Sequence, residues 1–147
     1  MRVPLTRWVQ AARSGKQNIA EGSMASVTSR ETEIKLTNVA RASLEELLLD
    51  YEDYLRTRNL RLWEKDSPAS LFMRKASRRY EHSEWFLNLA LSRNDEVFAN
   101  MAVCLIHQAG FLLKKQLDVL EERFLQEGGL RERMTRLRKQ RRKTGSA

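Results

Sequence analysis

Turn-forming residues are scarce in this sequence. Six glycines and two prolines serve a chain of 147 residues, so long helices, and not many short strands joined by tight turns, are the elements it is able to build. Apolar residues recur at helical spacing over four stretches, about 5–21, 28–58, 67–91 and 94–127. The expectation is an all-α chain: an antiparallel four-helix bundle over residues 1–129 with a short basic C-terminal extension over 130–147.

Helix one sets Leu5, Trp8, Val9, Ala12, Ile19 and Ala20 on one broad side, with Gly22 as its stop. Its other notable face is small, made of Ala11, Gly15 and Gly22. A glycine inside a helix costs about 1 kcal/mol relative to alanine, so Gly15 argues for a neighbouring backbone that a larger residue would push away. Asn18, one turn further on, needs hydrogen-bond partners if that contact buries it. Ala11, Gly15, Asn18 and Gly22 are therefore the expected helix-packing or oligomer interface.

Helix two opens on a capping box, Thr28 with Glu31, and its wide apolar stripe, from Ile34 through Leu47 and Tyr51 to Leu55, places it centrally. Ser67-Pro68 gives helix three an N-cap and a first-turn proline. A single helical wheel over 67–91 puts Met73, Ala76, Tyr80, Leu87 and Leu91 on one side. Arg74, Lys75, Arg78, Arg79 and His82 lie opposite, with Trp85 in the same basic arc. Helix four starts near Asn94, carries Asp95 and Glu96 where the macrodipole favours acids, and stops at Gly128-Gly129. Its uncharged run Val97–Leu113 falls short of the roughly 20 residues a spanning helix needs and reads as a buried helix.

The net charge of +8 is unevenly placed. Residues 131–147 hold Arg131, Arg133, Arg136, Arg138, Lys139, Arg141, Arg142 and Lys143 against the single acid Glu132, a balance of +7, which leaves +1 for residues 1–130. This tail has two readings: a short basic helix with Leu130, Met134 and Leu137 along one edge, or, the one expected for the last ten residues, disorder for want of apolar surface.

Catalytic and metal chemistry find little to stand on. Cys104 and His107 are one turn apart, but a zinc site takes about four ligands and His82 is the only other histidine. Cys104 reads as a small core residue and His107 as partly buried. No Glu-x-x-His motif supports a carboxylate-bridged metal pair, and no Gly-rich phosphate loop is present. The expectation is a non-enzyme without metal or cofactor. One cysteine and no recognisable leader make a cytoplasmic home the default.

The basic residues point to a polyanion. Arg74 with Arg78 and Lys75 with Arg79 are like-charge pairs four residues apart, which repel within a helix and are relieved by phosphate. Trp85 would stack on a base, and the eight cations of the tail would bind RNA or DNA backbone through counterion release. The alternative is a protein-interaction scaffold in which the small face of helix one and the Trp85 surface dock subunits. No membrane partner is expected, because Leu130, Met134 and Leu137 make only a thin apolar stripe.

Two motifs carry a family resemblance. A-A-x-S-x-x-x-N-I-A-E-G is met by Ala11, Ala12, Ser14 and Asn18 to Gly22, and A-x-x-S-L-x-E-L by Ala40, Ser43, Leu44, Glu46 and Leu47. Together they resemble the bacterial four-helix bundle family that includes proteins encoded in intervening sequences of 23S ribosomal RNA genes. That family is similar to the accessory variability determinant of diversity-generating retroelements. The run from Cys104 to Met134 looks like the subgroup with a C-terminal suffix domain. The resemblance implies a helical bundle, a homo-oligomer (a pentamer by analogy) and nucleic-acid binding. Family members usually place a complete helix before the A-A-x-S segment, where this sequence has only about eight residues; either the chain is truncated or misannotated at its start, or helix three takes the absent helix's place.

Overall fold

The computed structural model describes residues 5–25, 29–79, 83–128 and 130–145, with the side chains of 5–9, 23, 25, 83 and 130 excepted. The expectations placed on Trp8, Val9, Thr28, Tyr80, His82 and Gly129, and on the side chains of Leu5 and Leu130, therefore lie outside the described part. Six helices and no strand are found among the described residues: α1 (Leu5–Ala25), α2 (Arg30–Thr57), α3 (Pro68–Arg79), α4 (Ser83–Leu91), α5 (Asp95–Glu127) and α6 (Leu130–Thr144).

Helix α1 lies antiparallel on α2 through small and polar groups. A Cβ added at Gly22 would meet the Leu36 Cβ at 3.4 Å and the Glu33 carbonyl at 3.6 Å, and one at Gly15 would meet the Ala40 carbonyl at 3.8 Å. Both glycines are buried. Gly22 does not end the helix as expected. It lies within α1, where close approach to α2 and not chain termination accounts for it. Thr37, 3% exposed in this interface, returns its hydroxyl to the Glu33 carbonyl at 2.8 Å.

The apolar core sits between α2 and α5, which also run antiparallel. Leu47, Tyr51 and Leu55 interlock with Ala99, Val103 and Ile106, and Ala11 of α1 packs against the same cluster. Local signals place both helices: Ser29, one residue after the expected cap at Thr28, caps α2 by accepting from the Thr32 amide at 3.3 Å, and Asn94 caps α5 by accepting from the Val97 amide at 3.0 Å. Asn100, 1% exposed, ties α5 to the connector before α3. Its Oδ1 accepts from the Trp63 amide at 2.7 Å, and its Nδ2 donates to the Arg61 carbonyl at 2.7 Å and the Glu96 carbonyl at 2.9 Å.

The third helix departs from expectation. Its N-terminus is capped as read, with Ser67 Oγ accepting from the Ser70 amide at 3.2 Å, but two helices, α3 and α4, occupy 67–91. Met73 and Ala76 are buried at 2% and 4%, whereas Leu87 and Leu91 are 56% and 71% exposed. One wheel drawn across both segments fails because each meets α5 on its own terms. Ser70 lies against Cys104, and the Ser77 hydroxyl donates to Gln108, so α3 advances in the same direction as α5. An up-and-down bundle would have it run the other way.

Helix α5 is the one described helix long and apolar enough to cross a membrane, with 33% of that window buried in the protein. Of its buried residues, Ala99, Val103 and Ile106 face α2, and Met101 faces α4. Phe111 and Leu112, expected inside, are 57% and 60% exposed. His107 is exposed where partial burial was expected.

Candidate nucleic-acid interface

The tail is a helix. Residues 130–144 form α6, of 15 residues, the helical one of the two readings, and it runs through 138–144, where disorder was expected. The turn into it is made by Gly128, with φ of 76° and ψ of 162°, a region essentially open to glycine alone. Beside it, Glu127 accepts two hydrogen bonds from Arg30 of α2, at 2.8 and 3.1 Å, and lies 3.9 Å from Arg133 of α6. Arg136 donates to the Glu127 carbonyl at 3.4 Å and lies 3.9 Å from Glu132. One carboxylate thus shares two guanidinium groups, and the Nε of Arg133 is buried without a partner. The root of α6 is left with surplus positive charge.

Beyond that root α6 stands free of the body. Every side chain described in it except Arg133 is exposed. Arg131, Arg138, Lys139, Arg141, Arg142 and Lys143 form no ion pair among the described residues, while Met134 and Leu137, 46% and 61% exposed, mark a short apolar edge. A helix with this little packing gains few compensating contacts, and its like charges repel one another. A polyanion lying along it would relieve that repulsion.

The basic face of α3 is only partly available. Arg74 donates to the Lys65 carbonyl and lies 3.8 Å from the Asp66 carboxylate. It is thereby turned back on the connector and is half-buried. Lys75, Arg78 and Arg79 are exposed and have no acid partner among the described residues. Trp85 leaves the basic arc in which the single wheel placed it. It is half-buried, 6.5 Å from Phe72 at a 45° tilt and edge-on to Phe86 at 4.8 Å. Phe72, which sequence reading did not single out, is 56% exposed at the rim of this cluster. Its position three residues before Lys75 was the available signal.

The two basic regions are far apart. Ser77 marks the end of α3 at Gln108, and α6 leaves from Glu127, so at about 1.5 Å per residue they are separated by about 28 Å along α5.

The remaining sites of the sequence reading have local roles. Asn18 donates to the Ser14 carbonyl at 2.8 Å and its hydroxyl at 3.3 Å, so its amide is satisfied within α1. Burial pushes the Cys104 thiol up, against weaker opposing pulls from Ser70 and Arg74, and a thiol held protonated is a poor nucleophile or ligand. Among the described residues no three His, Cys, Asp or Glu side chains converge on a point where a metal ion would sit. Between α4 and α5 runs an apolar groove of about 380 Å³, lined by Phe86, Leu87, Ala90, Phe98, Met101 and Leu105 among others.

Comparison with family models, with curated proteins and with solved structures finds no match for this chain.

Proposed function

We propose that this chain is a non-enzymatic, oligomeric four-helix-bundle protein that binds the backbone of RNA or DNA through α6 and the exposed cations of α3. In this reading α1, α2 and α5 are three helices of the bundle and the α3–α4 pair is the fourth. One observation carries the proposal: a helix with eight cations and one acid projects from a body whose own charge is nearly balanced. Such a charge distribution binds phosphate regardless of sequence, by releasing condensed counterions. The resemblance of the Ala11–Gly22 and Ala40–Leu47 motifs to the intervening-sequence family agrees with it.

Titrating salt against the anisotropy of labelled RNA and DNA tests this reading. Log affinity falls linearly with log salt, at a slope of about −0.7 per neutralised phosphate on single strands and about −0.9 on duplex. Deleting residues 131–147 should flatten that slope and weaken binding to both. Affinity that ignores salt, or survives the deletion unchanged, overturns the assignment.

A protein-interaction role is the second reading, and the apolar groove between α4 and α5 favours it, with Leu87 on its lining 56% exposed. The small face of α1 is not available for docking, since Gly15 and Gly22 are buried against α2.

A further inference from the structure

We infer that Phe72, backed by Trp85, is a stacking platform for an unpaired base, and that the nucleic acid bound by this protein is single-stranded. The inference rests on the nucleic-acid reading above and adds the class of ligand.

On α3, Phe72, Lys75 and Arg79 fall at i, i+3 and i+7, one face of a helix, with Arg78 beside them. Met73, about 100° round the helix from Phe72, and Ala76, one turn after Phe72 on its inner flank, are buried. Phe72 borders this buried side yet keeps more than half of its surface open, while Trp85 packs on it at 6.5 Å and is itself braced by Phe86. An exposed ring held against a second aromatic presents a flat apolar surface at little further cost in side-chain entropy.

The neighbours of the ring narrow the choice of ligand. Lys75, Arg78 and Arg79 are exposed and unpaired with any acid among the described residues, and Lys75 with Arg79 is a repulsive i,i+4 pair. An apolar protein partner would cover Phe72 but leave these cations to be neutralised separately. A duplex would satisfy the cations, yet it hides the flat faces of its bases inside the stack. A single strand offers both at once: phosphates for the cations and an accessible π-face for the phenyl ring. Sequence-independent single-strand sites combine these two elements. Phe72 lies five residues, about 7 Å, further from α6 than Ser77 does, and a stacked strand advances about 3.4 Å per nucleotide, so about ten nucleotides cover the separation between this platform and the root of α6.

The test measures affinities of the full chain for oligothymidylate, oligouridylate, an abasic strand and a duplex, each of about twenty units, at one salt concentration. The base-bearing strands should bind about tenfold tighter than the abasic strand and tighter than the duplex. Phe72→Ala should erase that advantage while leaving abasic binding and helicity unchanged, and Phe72→Tyr should restore it. A preference between oligouridylate and oligothymidylate identifies RNA or DNA; equal affinity assigns the platform to either. If abasic and base-bearing strands bind alike and Phe72→Ala alters neither, or if the duplex binds tightest, the platform is overturned while backbone binding stands. If no polyanion binds, both readings fall. Phe72-dependent binding to anionic vesicles, with no dependence on bases, reassigns the patch to a lipid surface and overturns the proposal.

Discussion

At Gly15 a methyl group fits. A Cβ there would lie 3.8 Å from the Ala40 carbonyl, ordinary van der Waals distance, with nothing else of α2 inside 4 Å. Glycine in a helix interior is destabilising relative to alanine by roughly 0.5–1 kcal/mol. Gly15→Ala should therefore stabilise the protein by about that amount, read as a higher midpoint in urea unfolding at unchanged slope. A lower midpoint would mean that α1 and α2 sit closer than this geometry allows. Sequence reading anticipated the approach of a backbone at Gly15 from its propensity cost, but not how much room remained. Asn100 shows the opposite limit. It is nearly inaccessible and joins three backbone groups of α5 and the connector, yet in the sequence it reads only as a polar interruption. Its partners are brought to it by tertiary packing, and no local pattern encodes them. Phe72 was missed for a related reason: its place three residues before Lys75 was a local signal, but the aromatic partner that gives it a role is brought across from it only by packing.

Elements were legible where the signal is local. The caps at Ser67 and Asn94, the glycine stop after Glu127 and the apolar periodicity of α2 and α5 lie within a few residues of the boundaries they set. Helix three was misread because a wheel assumes one straight axis, and α3 and α4 pack on α5 separately. The tail was misread because composition undervalues local ties. Glu127, placed where two arginines from different helices reach it, anchors the first turn of α6. The bend that brings them together belongs to Gly128. A side chain at its φ of 76° and ψ of 162° is strained by about 1–3 kcal/mol, and a Cβ would also crowd the Glu132 carboxylate. Gly128→Ala should thus release α6 from its root while α2 and α5 stay intact. Hydrogen exchange would read this as faster exchange confined to residues 130–144, and unchanged rates there would remove Gly128 as the determinant of the bend.

For its mass the molecule exposes more surface than a compact monomer. A 17.2 kDa globular chain has about 7,800 Å² of accessible area, against 11335 Å² here, an excess of roughly 3,500 Å². A projecting α6 supplies part of it. Apolar side chains on the body supply another part: Leu87, Leu91, Phe111 and Leu112 are each more than half exposed, and the first of them lines the groove between α4 and α5. A standard protein interface buries about 1,600 Å² in total, so the excess is large enough for a second copy and still leaves α6 free. Phosphate needs no apolar contact, which separates the two surfaces by chemistry as well as by place. The protein should accordingly sediment as a multiple of 17.2 kDa. Leu112→Glu, introducing a charge at an exposed site, should shift it toward monomer with little loss of helicity, while deletion of residues 131–147 should leave the mass ratio as it was. A monomer at every concentration would mean that these apolar residues await a different partner; an assembly lost with the tail would place the subunit contact in α6, where it would compete with nucleic acid for the same cations.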